Sequence, residues 1–102
     1  MIRRMAWTID PEGAEVAALE RLASLEDRRV LELGCGDGRL TFRYAYAPRS
    51  VLAVDPDEER IAEALEARPP DLAVRVSFVV AAAAEVDAPR RSFDVALFSS
   101  SL

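Results

Sequence analysis

The sequence predicts an α/β fold, a parallel sheet flanked by helices, and three observations carry that prediction. Val30-Leu31-Glu32-Leu33 is a short, mostly apolar run that breaks into the turn Gly34-Cys35-Gly36-Asp37-Gly38. Val51-Leu52-Ala53-Val54 is a second such run and ends at Asp55. Two more apolar runs, residues 74–80 and 93–98, follow downstream. Apolar runs bounded by turn signals read as buried strands. With helical patterns between them they read as right-handed β-α-β units.

Taken in order, Asp10-Pro11 is a helix start, the acid as N-cap and the proline at the first helical position. Val16, Leu19, Leu22 and Ala23 recur at three- and four-residue steps, so the helix is amphipathic over residues 10–25. The charged turn Glu26-Asp27-Arg28-Arg29 leads into the first strand, residues 30–33. A helix is expected over residues 39–47, with Leu40, Tyr44 and Ala45 on one face and Pro48 as its stop. After the second strand Asp57 reads as an N-cap, and Glu58 and Glu59 suit the positive end of the helix dipole. Ile61, Ala64 and Leu65 give that helix its buried stripe, and Pro69-Pro70 end it. Residues 81–92 join the third strand to the fourth, their alanine run fitting either a strand end or a turn.

The chain has 102 residues, of which 51% are hydrophobic, enough for the core of one small domain, residues 1–102. No repeat or linker divides it. The net charge is −5 and no basic cluster appears; Arg28-Arg29 and Arg90-Arg91 are isolated pairs. Charge therefore argues against nucleic-acid or membrane binding. One cysteine and no histidine exclude a disulfide framework and a zinc site of the Cys/His kind. Cys35 has no histidine to activate it and reads as a small residue lining a cleft. The N-terminus lacks a long apolar core, so no signal peptide is expected, and no run reaches membrane-span length. A reducing cytoplasm is the expected compartment.

Gly34, Gly36 and Gly38 let the backbone take positive φ and let a ligand reach the main chain. A dinucleotide fingerprint, G-x-G-x-x-G, would need glycine where Arg39 stands, so the spacing departs from that pattern. Asp55 follows Gly38 by 17 residues. That gap fits a helix, a turn and a parallel strand, and places the acid where ribose hydroxyls of a bound nucleoside are reached.

Glu32-x-Gly34-x-Gly36-x-Gly38, followed by Val54-Asp55, resembles the first two motifs of class I S-adenosylmethionine-dependent methyltransferases. Residues 78–85, with Ala84-Glu85, and residues 92–99, with Phe93-Asp94, resemble that family's third and fourth strands. The resemblance spans residues 10–102. It implies a Rossmann-like sheet with strand order 3-2-1-4, truncated after the fourth strand and so incomplete at its C-terminus. It implies S-adenosylmethionine as cofactor and methyl transfer to an acceptor the sequence does not identify, with a small molecule expected.

The resemblance also assigns roles. Gly34, Cys35, Gly36 and Gly38 would lie against the donor, and Glu32 would orient its amino end. Asp55 would accept both ribose hydroxyls. Pro56 would pack near the adenine and Ala84 would offer its N–H to the ring. The acid that often reads the adenine amino group is replaced by Ala83, with Glu85 the nearest substitute. Ser99 would meet the methionine end. No catalytic residue is assigned, and no metal is required, because displacement at a sulfonium needs mainly alignment and exclusion of water. Two other readings stand beside it, a truncated module that binds the donor without turnover and an NAD-dependent oxidoreductase. Ending after the fourth strand would leave residues 93–98 as an open apolar edge, so self-association through that strand is expected.

Overall fold

A computed structural model describes residues 5–9, 24–86 and 92–99. Five parallel strands form one sheet: β1 (Met5–Ile9), β2 (Arg29–Leu33), β3 (Ser50–Asp55), β4 (Val76–Val80) and β5 (Val95–Ser99). Helix α1 (Arg39–Tyr44) joins β2 to β3, and α2 (Glu58–Ala67) runs toward β4. Short 3-10 turns lie at Pro70–Leu72 and Ala83–Glu85. The spatial order is β1-β5-β2-β3-β4. The four strands expected from sequence thus stand in the 3-2-1-4 arrangement, and β1 extends the sheet beyond the last of them.

That fifth strand overturns one expectation. β5 is not an open edge: it pairs with β2 on one side and with β1 on the other, in register Met5 with Val95 through Ile9 with Ser99. The polar backbone that was to invite a second chain is met by the chain's own N-terminus, so self-association through β5 loses its physical basis. Five residues were too few to show a strand period in the sequence. Residues 10–23 of the expected first helix lie outside the described residues. Leu25, at its end, sits in a turn and is fully buried.

Register explains the core. Val30, Val51, Val76 and Val95 align across four strands and are all buried. The next row on the same face holds Glu32, Ala53, Phe78 and Leu97. Leu40 and Tyr44 of α1, with Ile61 and Ala64 of α2, complete that side. Phe42 meets Phe78 edge to face, ring centres 5.8 Å apart. Burying a side chain such as Leu97 stabilises by about 1.5–3 kcal/mol.

Boundaries shift for local reasons. α1 stops at Tyr44, ahead of Pro48, because the chain tightens there: Ala47 N donates to Tyr44 O at 3.0 Å. β4 starts at Val76, because Val74 and Arg75 belong to the turn that follows Leu72 and Val74 is 91% exposed. α2 begins as expected, Asp57 Oδ1 accepting from Glu59 N and Arg60 N. At the β4 edge Arg68 Nη1 donates to Val76 O at 2.8 Å, so a side chain satisfies one carbonyl of that strand.

At the opposite end of the sheet from the glycine turn, Asp94 accepts Arg29 N at 2.9 Å, Arg29 Nε at 3.3 Å and Arg29 Nη2 at 3.1 Å. Asp94 N returns a bond to Arg29 O at 2.8 Å. The Phe-Asp opening of this strand is thereby a structural fork that fixes β5 against β2.

Candidate functional site

The site is built at the carboxyl ends of the parallel strands, where open α/β sheets hold ligands. β2 ends in the glycine turn. Gly34, Gly36 and Gly38 all adopt left-handed backbone, with φ of 82°, 58° and 86°. The fold itself demands two of these glycines. A Cβ on Gly34 would lie 2.7 Å from Ser99 O, and one on Gly38 would lie 2.9 Å from the Phe42 ring. Gly34 N and Cys35 N both donate to Val54 O, tying the turn to β3 at 2.8 and 3.0 Å. Gly38 then caps α1, its carbonyl accepting Phe42 N at 2.9 Å.

Asp55 closes β3 and is buried. Its Oδ2 accepts Gly36 N at 2.9 Å, and its Oδ1 accepts Asp57 N at 2.9 Å. One carboxylate therefore joins the middle of the glycine turn to the start of α2. Helix capping itself belongs to Asp57, as the sequence predicts.

Glu32 is fully buried in an otherwise apolar row. Its carboxyl lies among three hydroxyls: Thr41 Oγ1 donates to Oε1 at 2.6 Å, Tyr44 Oη to Oε1 at 2.5 Å, and Ser99 Oγ lies 2.7 Å from Oε2. Among the described residues no arginine pairs with this carboxyl, and Arg29 on the same strand is committed to Asp94. Burial pushes the Glu32 carboxyl above the usual carboxylate range, the hydroxyls pull it back, and the nearby Asp55 charge pushes it further up. Ser99 Oγ also lies 2.8 Å from Gly34 O.

Cys35 is buried, and burial pushes its thiol pKa well up, reinforced by Glu32 and Asp55. A buried thiol held neutral in this way is a poor nucleophile. Pro56 is exposed at the end of β3, and Ala84 and Glu85 are exposed after β4. Ala81 N donates to Asp55 O at 3.0 Å, which joins these two strand ends. Glu85 Oε1 accepts Ala82 N at 2.9 Å, so its carboxylate is engaged within its own turn.

The expected residues thus gather at one sheet end: Glu32, Gly34, Cys35, Gly36, Gly38, Asp55 and Ser99 in one bonded cluster, with Pro56, Ala84 and Glu85 on the neighbouring strand ends. Sequence reading missed Thr41, whose hydroxyl faces Glu32. The signal was there: an acid in a buried strand requires donors on the helix packed above it.

A family model described as a methyltransferase domain matches residues 30–102. The chain belongs to the methyltransferase domain family. Solved structures agree in fold. An S-adenosylmethionine-dependent methyltransferase from Mesorhizobium loti is 28% identical with TM-score 0.70, covering 85% of this chain and 40% of that one. The [4+2]-cyclase SpnF is 26% identical with TM-score 0.63, covering 94% of this methyltransferase-family chain and 39% of its own. A dimethyladenosine transferase from Plasmodium falciparum, 24% identical with TM-score 0.67, shares the fold over 82% of this chain and 31% of its own. The chain thus spans less than half the length of each. Among curated proteins none matches it.

Proposed function

We propose that this methyltransferase-family domain binds S-adenosylmethionine at the carboxyl end of its sheet and serves methyl transfer to a small-molecule acceptor. The observation that carries the reading is the position of Asp55: a buried carboxylate that holds Gly36 N and Asp57 N at 2.9 Å beside a left-handed glycine turn. Ribose hydroxyls would share that carboxylate with the two backbone donors. Gly34 and Ser99 would lie toward the methionine end, and Pro56 and Ala84 toward the adenine.

S-adenosylmethionine supplies a methyl group on a sulfonium, ready for in-line displacement. The residues described here have the task of holding that donor in one pose and keeping water from it. The net charge of −5 argues against a polyanionic acceptor. The proposed compartment is the cytoplasm. Among the described residues no helix is long and apolar enough to cross a membrane.

Isothermal titration with S-adenosylhomocysteine and, separately, with NAD tests the reading. S-adenosylhomocysteine should bind and raise the thermal midpoint. Asp55→Ala should weaken its binding by about 1–3 kcal/mol, the scale of a lost charged hydrogen-bond partner. Binding of NAD instead, or an unchanged affinity in Asp55→Ala, would overturn the assignment.

A further inference from the structure

The hydroxyl protons around Glu32 are fewer than the short oxygen contacts there. Four oxygen pairs lie within 2.8 Å: Thr41 Oγ1 with Glu32 Oε1 at 2.6 Å, Tyr44 Oη with Oε1 at 2.5 Å, Ser99 Oγ with Oε2 at 2.7 Å, and Ser99 Oγ with Gly34 O at 2.8 Å, while Leu33 O lies farther from Ser99 Oγ at 3.5 Å. A carbonyl oxygen has no proton to give, and three hydroxyls bring three. With Glu32 ionised, Ser99 must choose between Oε2 and Gly34 O, and one short oxygen pair is left without a proton. A fourth proton on Oε2 satisfies all four: Oε2–H donates to Ser99 Oγ, and Ser99 donates to Gly34 O.

We propose that Glu32 is protonated in the ligand-free protein, and that a ligand ammonium group seated on the Gly34 carbonyl releases that proton. The inference rests on the cofactor reading above, since the ammonium is that of the donor's amino-acid end. When the ligand N–H donates to Gly34 O, its positive charge close to Glu32 favours the ionised carboxylate, and the Ser99 hydroxyl, now sharing that carbonyl with a cation, turns to Oε2. Oε2 then gives its own proton to solvent, and the carboxylate accepts all three hydroxyls. One proton leaves for each ligand bound, and the cation gains an anion behind the turn. Glu32 thus acts on the ligand through Ser99, as a positioning residue.

The surroundings are compatible with this exchange. From α1, Thr41 and Tyr44 face Glu32; from β5, Ser99; from the turn, Cys35; and from β3, Asp55, whose charge favours a neutral Glu32. Tyr44 and Cys35 are both pushed upward, chiefly by burial, and stay neutral. The remaining neighbours in the row are Ala53, Phe78 and Leu97, which offer a charge nothing.

Titration calorimetry of S-adenosylhomocysteine near neutral pH, in phosphate and in Tris, counts the protons, because the two buffers differ in ionisation enthalpy. The wild type should release close to one proton per ligand. 5′-Methylthioadenosine, which lacks the amino-acid end, should bind with no release. Glu32→Gln should bind S-adenosylhomocysteine with no release, since its amide N–H cannot leave. In the infrared, the ligand-free wild type should show a protonated carboxyl band that Glu32→Gln lacks. A role confined to stability would shift the melting midpoint of Glu32→Gln without changing the proton count. Binding of S-adenosylhomocysteine with a buffer-independent enthalpy would overturn the coupling while leaving the cofactor reading intact. No binding of either nucleoside would overturn both. Should Glu32→Gln not fold, the comparison of the two ligands on the wild type decides the matter alone.

Discussion

Asp94, just ahead of β5, and Glu32, on β2, are both buried acids, and their environments act in opposite directions. The Arg29 side chain and N–H hold the Asp94 carboxyl below the usual carboxylate range. Its contribution is therefore fully present above the unfolded value of about 3.9 and is lost as pH falls through the depressed folded value. Burial holds Glu32 high, so folding favours its protonated form. Its contribution is present below the unfolded value of about 4.3 and is lost as pH rises through the elevated folded one. Urea midpoints measured from about pH 6 down to pH 2 should show a stability loss on the acid side that Asp94→Asn shrinks. An acid limb of unchanged steepness in Asp94→Asn would remove the fork from the account. At this scale the sequence was half legible. Gly34, Gly36, Gly38 and Asp55 announced themselves through spacing. The partners of Glu32 and Asp94 did not, because Ser99 and Arg29 reach them across 67 and 65 positions.

Among the elements, β2 and β3 were readable because their apolar runs end in chemistry that only a turn or a strand end accommodates. α2 was readable from Asp57 and from Ile61 and Ala64, while Leu65, expected in the same buried stripe, is instead 44% exposed on the solvent side of the helix. β1 was not. Met5-Ala6-Trp7-Thr8-Ile9 is strand only because β5 lies beside it, and that partner begins 90 residues later in register. Tertiary pairing of this kind overrides what a short window can show. It also makes β1 the cover of an otherwise apolar strand containing Val95 and Leu97, both buried. Deleting residues 1–9 should expose the β5 edge and increase self-association, read by light scattering after size exclusion. Equal monomer content in the truncated and intact chains would show that β1 does not protect that edge.

Across the whole molecule the two ends of the sheet do different work. The amino end carries the Arg29–Asp94 fork and holds strands together. The carboxyl end carries the left-handed turn, Asp55 and the Glu32 cluster, where backbone donors and buried acids gather. The fold alone permits several chemistries, as the cyclase with the same architecture illustrates. Function therefore rests on the site, and the proposal at its centre is that S-adenosylmethionine lies at that carboxyl end. Titration of the ¹⁵N-labelled protein with S-adenosylhomocysteine, followed by amide chemical shifts, tests it most directly. The amides of Gly34, Gly36, Gly38 and Asp57 should move most, with Ala84 next and those of Arg29 and Asp94 nearly still. Largest shifts at the Arg29–Asp94 end, or none at the glycine turn at saturating ligand, would contradict it.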